Sequence, residues 1–195
     1  MAGPRATGEQ AKYRLAVVIV HYNTSDDLAR CLESIQAYPP AVRHRVVVVD
    51  NASRDEGLAA VHQRFGDCQW IFNAENAGYA RGCNRGMAAV AADYYLILNP
   101  DIVVQPGALD RLLEFADAHP RAGLVGPQLL NEDGSLQDSC RRFYTLRTLL
   151  LRRTVLGRLF PNSRTVQRHL MRDFDHLSSR PVDWGTAEML AFGTL

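Results

Sequence analysis

The sequence predicts an α/β domain: a mostly parallel sheet flanked by helices. Three observations carry that expectation. Apolar, β-branched runs without a polar face recur between Leu15 and about Val125, as expected of strands covered on both sides. Segments with helical spacing alternate with them, and strand–helix alternation implies right-handed crossovers between parallel strands. Finally, 195 residues of which 47% are apolar suffice for one sizeable core, with an incomplete second lobe.

Each element follows from its own pattern. Leu15–Val20 (LAVVIV) is a first strand, closed by the polar corner Asn23-Thr24-Ser25-Asp26 with its several helix-capping residues. Leu28, Cys31, Leu32 and Ile35 then mark one helical face, which Pro39-Pro40 ends. Arg45–Asp50 (RVVVVD) is a second strand. Leu58, Val61 and Phe65 mark a second helix, with Gly66 at its C-cap. Trp70–Phe72 is a short strand, Asn73 to Gly78 a loop, and Tyr79 to Ala92 a helix rich in small residues. Tyr94–Leu98 (YYLIL) is the fourth strand, broken by Asn99-Pro100-Asp101, and Pro106 opens another helix. Gly123–Val125 and Gln128–Leu130 read as a bent strand, and Asp133-Gly134 as a hairpin turn.

The formal net charge is only +1, yet Ser139 to Arg172 contains nine arginines and no acid, leaving −8 on the rest. The four cysteines (Cys31, Cys68, Cys83, Cys140) show no C-x-x-C pair and no metal-ligand spacing, which fits free thiols in a reducing cytosol. No apolar run approaches the ~20 residues that span a bilayer. Met1 to Arg14 lacks the apolar stretch of a secretion signal and reads as a disordered lead. The expected location is therefore cytoplasmic.

In an open parallel sheet, ligands collect beyond the carboxyl ends of the strands. The unusual polar residues gather at those ends: His21-Tyr22-Asn23, Asp50-Asn51, Asn76 with Gly78 and Arg81, and Asn99 with Asp101. The turns at the opposite end (Tyr38-Pro39-Pro40, Gly66-Asp67-Cys68, Ala92-Asp93) hold fewer acids and amides. Asp50 has two uses open to it: capping the turn Asn51-Ala52-Ser53, or accepting a hydrogen bond from a ligand's N–H. Asn99 and Asp101 lie two residues apart, so both oxygens could face one hard cation such as Mg²⁺ or Mn²⁺. An ordinary Asn-Pro-Asp turn is the other reading.

Four ordered segments carry a resemblance: Val17 to Asn23, Val48-Val49-Asp50-Asn51-Ala52-Ser53, Asn76-Ala77-Gly78 with Asn84-Arg85-Gly86, and Leu98-Asn99-Pro100-Asp101. Together they resemble the family 2 glycosyltransferases, whose GT-A fold is a Rossmann-like three-layer sandwich. Gly126-Pro127, Asp133 to Ser139 and Arg141-Arg142-Phe143 look like that family's bacterial rhamnosyltransferase branch. The resemblance spans about Leu15 to Trp184.

What it implies is an inverting transfer of a sugar, rhamnose being one candidate, from a dTDP- or UDP-linked donor to a cell-envelope glycan or lipid-linked acceptor. Val20, His21, Tyr22 and Asn23 would line the base and ribose, with Asp50 bonding the pyrimidine ring. Asn76, Gly78 and Arg81 would border the nucleotide and diphosphate. Asn99 and Asp101 stand at the family's Asp-x-Asp metal position, Asp101 being the expected direct ligand of Mg²⁺ or Mn²⁺. Asn99 replaces the Asp of many relatives, which weakens the implied affinity. Arg141 and Arg142 would pair with the diphosphate, unless they are surface hairpin arginines.

The implied organisation is a lead (1–14), a nucleotide-sugar-binding core (15–138) and an arginine-rich flap that begins a truncated acceptor-side region (139–195). After Val182-Asp183-Trp184 relatives continue into an apolar strand and an acidic pair that supplies the base, so the expected base lies beyond Leu195. An inactive nucleotide-sugar-binding or regulatory module is accordingly the alternative. A nicotinamide-dependent oxidoreductase fares poorly, because no G-x-G-x-x-G follows the first strand. The arginines and leucines of Leu146–Arg172 suit either peripheral contact with the anionic inner face of a membrane or a solvated flap. Nucleic acid is set aside, since this stretch lacks interleaved aromatics and a binding motif.

Overall fold

The computed structural model describes residues 12–137, 139–143, 171, 178–182, 184–185 and 189–193. The elements, in order, are β1 (Tyr13–His21), α1 (Ser25–Ala37), β2 (His44–Asp50), α2 (Leu58–Arg64), β3 (Gln69–Phe72), α3 (Tyr79–Ala88), β4 (Ala92–Leu98), α4 (Ala108–Ala118), β5 (Leu124–Val125), β6 (Cys140–Arg141), β7 (Trp184–Gly185) and β8 (Met189–Gly193). Two compact units result: Met1–Val125 with Ala187–Leu195, and Gly126–Thr186.

The first unit holds a six-stranded sheet of order β3-β2-β1-β4-β8-β5. β1 pairs in parallel with β2 on one side and β4 on the other, and β3 extends the parallel run from β2. The chain therefore winds outward through β2 and β3, then returns across β1 to place β4. That reversal puts a topological switch point between β1 and β4, at the carboxyl ends of the strands.

Six consecutive β1 residues, Leu15 to Val20, are at most 6% exposed, which explains the unbroken apolar run. One face of the sheet (Val18, Val20, Val47, Val49, Ile97) packs with Cys83 of α3, and Met87 joins the same cluster. Residues of opposite parity, Val17 and Ile19, are fully buried on the other face. α1 buries the Leu28, Cys31, Leu32 and Ile35 stripe expected of it. Ser34 Oγ accepts the Val104 N–H at 2.9 Å, and Asp110 accepts the Ala41 N–H at 2.8 Å, tying α4 and its lead-in to α1.

Several expectations need correction. β1 begins before Leu15: Tyr13 and Arg14 belong to it, and the Arg14 guanidinium binds Asp93 and Asp117. α3 ends at Ala88, and Ala92 begins β4 instead of closing the helix. Pro106 precedes α4, whose N-cap is Gly107 in the left-handed region (φ 67°), a backbone setting that glycine adopts without cost. Met189–Gly193, left without an element in the sequence reading, is the strand that separates β4 from β5, antiparallel to both.

In the second unit, Asn131 and Ser135 close the hairpin around Asp133-Gly134, with Gly134 at φ 78° and Leu130 bridging Leu136. Cys140–Arg141 pairs antiparallel with Trp184–Gly185. Of the arginine-rich flap and acceptor-side region (139–195), residues 144–170, 172–177, 183, 186–188 and 194–195 lie outside the described residues, as do residues 1–11 of the lead and the Cys140 side chain. Cys31, Cys68 and Cys83 are free thiols.

Candidate active site

The carboxyl ends of β1, β2 and β3 are locked together by a chain of side-chain amides. Asn51 donates its N–H to the His21 carbonyl at 2.9 Å, and Asn73 donates its own to the Asp50 carbonyl at 2.9 Å. The buried Asn73 also donates Nδ2–H to Asn51 Oδ1 at 2.6 Å, while Arg85 of α3 donates to Asn73 Oδ1. Such buried polar groups are stable only when paired, and here each amide serves the next. Asn23, itself in the left-handed region (φ 54°), receives the Arg54 N–H on Oδ1 at 2.7 Å and gives its N–H to Ser53 Oγ at 2.9 Å.

Asp50 ends β2 and is only 3% exposed. Its two carboxylate oxygens accept the Ser53 N–H at 3.2 and 3.3 Å, so it caps the turn that its sequence allowed it to cap. One shared donor leaves acceptor capacity on both oxygens for a ligand's N–H. The two readings of Asp50 are compatible.

Two glycines bring α3 against this end of the sheet. A Cβ on Gly82 would stand 2.7 Å from Val20 Cγ1, and one on Gly86 only 2.4 Å from Val18 Cγ1. The helix can approach β1 this closely only because both positions lack a side chain. Before it, Asn76 Oδ1 accepts the Gly78 N–H at 3.0 Å, and Gly78 turns the chain at φ 85°. The start of α3 thereby meets the tip of β4: the Tyr79 hydroxyl donates to Asn99 Oδ1 at 2.8 Å. Burial, then Cys83 and the Asp101 charge, push the Tyr79 phenol above its ordinary range, so it stays a donor. Burial and Asp101 likewise push the Cys31 thiol up to about 12.

These residues bear on a divalent cation as follows. Among the described residues there is no group of three or more His, Cys, Asp and Glu that could hold a metal ion. Asp101 is exposed at the strand end, and Asn99 Oδ1 already accepts from Tyr79. A single carboxylate with hard oxygen chemistry suits Mg²⁺ or Mn²⁺ when phosphates and waters supply the remaining ligands.

The other expected residues distribute unevenly. Tyr22, Asn23, Asn76, Gly78 and Arg81 are exposed beside this end of the sheet. The Val20 side chain packs beneath Gly82, in the core. The His21 ring, expected to line the base, is wholly buried. It lies under Asp50 and Asp55, with Nε2 3.9 Å from Asp50 Oδ1 and 3.8 Å from Asp55 Oδ1. Asp50 and Asp101 do not sit on adjoining strands: β1 runs between β2 and β4, so their strand tips are two spacings, about 10 Å, apart. Arg141 and Arg142 belong to the second unit, and the Arg141 side chain is outside the described residues.

Three residues escaped the sequence reading: Asp55, Asn73 and Tyr79. Asp55 accepts the Ser25 N–H at 2.8 Å and so caps α1 from 30 residues downstream. A carboxylate three residues beyond a turn carries no local sign of such a partner. Asn73 opens the Asn73–Gly78 loop and Tyr79 follows it, and the amide and the phenol at its two ends are the signals that point to them.

A family model, "Glycosyl transferase family 2", matches residues 16–174. The chain belongs to glycosyl transferase family 2. N-Acetylglucosaminyl-diphospho-decaprenol L-rhamnosyltransferase of Mycobacterium tuberculosis (strains CDC 1551 / Oshkosh and ATCC 25618 / H37Rv) is 30% identical over 181 residues, covering 87% of this chain and 58% of its own length. The chain therefore spans little more than half of those relatives. Succinoglycan biosynthesis protein ExoO of Rhizobium meliloti is 34% identical over 103 residues, 52% of this chain and 29% of its own. Among solved structures, Pyrobaculum calidifontis mannosyltransferase PcManGT, in complex with GDP-Man and Mn²⁺, superposes with TM-score 0.53 at 21% identity over 63% of this chain and 37% of its own. S. aureus TarS 1–349 superposes with TM-score 0.54 at 19% identity over 71% and 44%. These likenesses establish the GT-A fold for this family 2 chain.

Proposed function

We propose that the chain forms the donor-binding part of an inverting glycosyltransferase that takes a sugar from a pyrimidine nucleoside diphosphate, with rhamnose as the sugar and a lipid-linked or cell-envelope glycan as the acceptor. The observation that carries the reading is the switch point itself. Asp50 and the Asn99–Asp101 turn flank the tip of β1, with the start of α3 between them and the Tyr79–Asn99 hydrogen bond closing the far side. Asp50 accepts the N–H of the pyrimidine ring, and exposed Tyr22 and Asn23 border the base and ribose. Asn76, Gly78 and Arg81 lie along the diphosphate.

Asp101 would hold the divalent cation, which supplies charge neutralisation for the departing diphosphate when bound. The protein's share is orientation: a fixed donor leaves the anomeric carbon open to in-line attack by an acceptor hydroxyl. The rhamnosyltransferase relatives support the sugar and the acceptor class; the PcManGT complex with GDP-Man and Mn²⁺ supports a nucleoside-diphosphate sugar and a divalent cation, and the complex of S. aureus TarS 1–349 with UDP supports a pyrimidine. Peripheral contact with the inner face of the cell membrane is part of this reading, and a lipid-linked acceptor supports it. No helix among the described residues is long and apolar enough to cross a membrane.

Isothermal titration of the chain with UDP and dTDP, with and without Mn²⁺, tests this. Binding of one or both, strengthened by Mn²⁺ and lost in Asp50→Ala, is the expected result. Absence of binding by either nucleotide contradicts it.

A further inference from the structure

The His21 ring is fully buried at the end of β1, faces two carboxylates, and has no place at the nucleotide surface. Nδ1 lies 3.1 Å from Thr24 Oγ1. A hydroxyl can donate or accept, and a carboxylate can only accept. The tautomer that satisfies all three neighbours therefore carries its proton on Nε2, facing Asp50 and Asp55, and takes the Thr24 proton on Nδ1. Thr24, the N-cap residue, makes no side-chain cap to α1, and Asp55 supplies one from 30 residues downstream.

His21 Nε2 and Asp55 Oδ1 are both buried without a hydrogen-bond partner among the described residues. Separations of 3.8 and 3.9 Å exceed a direct hydrogen bond and are within the span of one shared water. The ring nitrogen and the two carboxylates thus face one another inside the fold, where a polar group is costly to leave without a partner.

We infer that His21 is a positioning residue for nucleotide binding: its Nε2–H, shared between Asp50 and Asp55, sets the direction in which the Asp50 carboxylate offers its remaining lone pairs. The inference rests on the reading of Asp50 as the acceptor for the pyrimidine N–H. The charged groups facing the ring are Asp50 from β2 and Asp55 from the β2–α2 loop, with neutral Thr24 before α1. Burial outweighs both carboxylates and holds the imidazole below its ordinary value of 6.5, so it is neutral at pH 7. Protonation in acid gives Nδ1 a proton it must turn toward Thr24 and tightens Nε2 onto the carboxylates, withdrawing Asp50 from the ligand.

Two experiments test this on the whole chain. Nitrogen-15 histidine NMR without nucleotide reads the tautomer directly: an Nε2–H imidazole at pH 7.5 is expected, and an Nδ1–H tautomer overturns the inference whatever the chain binds. UDP titration of His21→Gln and His21→Leu reads the consequence. Gln can return an N–H near Nε2, and Leu cannot. His21→Leu should weaken UDP binding about tenfold, through loss of the ring N–H that faces the two carboxylates, with His21→Gln within about threefold of wild type. Wild-type affinity should fall between pH 7 and 5, and His21→Gln should not follow it. Equal weakening in both variants at every pH would leave only a packing role and overturn the inference. Wild-type chain that binds no nucleotide contradicts the donor-site reading, while the NMR tautomer still decides the placement of the proton.

Discussion

The Tyr79 hydroxyl donates to Asn99 Oδ1 at 2.8 Å, joining the first residue of α3 to the tip of β4. With Asn99 Oδ1 engaged by Tyr79, Asp101 is left as the carboxylate for a cation. We predict that Asp101→Asn abolishes the enhancement of UDP binding by Mn²⁺ while leaving metal-free binding within about threefold. Calorimetry at two Mn²⁺ concentrations checks it. Unchanged Mn²⁺ enhancement would place the cation elsewhere.

Removing the tie should act in the same direction but less. Tyr79→Phe keeps the ring and deletes the hydroxyl with its hydrogen bonds to Asn99 and Cys83, each worth about 1 kcal/mol. The expected cost is up to about fivefold in Mn²⁺-dependent UDP affinity, with a loss of folding stability of about 1–2 kcal/mol. Differential scanning calorimetry and titration on the same preparation separate the two effects.

The central strands were legible in the sequence because burial on both faces demands uninterrupted apolar residues, and LAVVIV and RVVVVD supply them. The strand-end residues were legible for the converse reason: polar groups concentrated at one end of such a sheet have no core to serve. Other features were invisible because they depend on distant partners. Met189–Gly193 is a strand through its pairing with Tyr94–Leu98, nearly half the chain away, and with Leu124–Val125. His21 follows an apolar run and reads as an exposed strand-end residue, yet Asp55 and Asp50 fold over it. Gly82 and Gly86 look like ordinary small residues until the 2.4 and 2.7 Å approaches show what they admit.

Those glycines give a stability prediction. Gly86→Ala puts a methyl group 2.4 Å from Val18 Cγ1 and 3.2 Å from Val49 Cγ2, so α3 or the sheet must shift. A loss of about 1–3 kcal/mol is expected even though alanine favours helix. Gly66→Ala, with nothing nearer than 3.8 Å, should change stability by less than about 0.5 kcal/mol. Urea denaturation of both variants distinguishes a tight helix–sheet contact from a propensity effect.

The Asp55 cap predicts a loss as well. Burial disfavours its charge, but the Ser25 N–H and hydroxyl and the His21 ring outweigh that and hold the carboxyl below its ordinary range. Asp55→Ala should cost about 1–2 kcal/mol by freeing the start of α1. Ser25→Ala, which keeps the backbone donor, should cost less. Chemical denaturation at pH 7 is the check.

The sign of the pH dependence follows from His21. Its folded-state value is depressed, so the unfolded chain binds this proton first as pH falls below 6.5. The stability contributed by the buried neutral ring is complete above that value and is lost on acidification toward the folded-state value. Urea midpoints for wild type should decline between pH 6.5 and 5 more steeply than those of His21→Gln. Parallel declines would mean that His21 does not titrate differently in the two states.

The account stands or falls on a nucleotide at the tips of β1, β2 and β4. Titrating the nitrogen-15-labelled chain with UDP in the presence of Mg²⁺, and following every assigned backbone amide, tests this most directly. The largest shifts should fall at 21–23, 50–53, 76–82 and 99–101. No shifts, or shifts confined to the other end of the molecule such as the hollow at Ala118–Ala122, would contradict it.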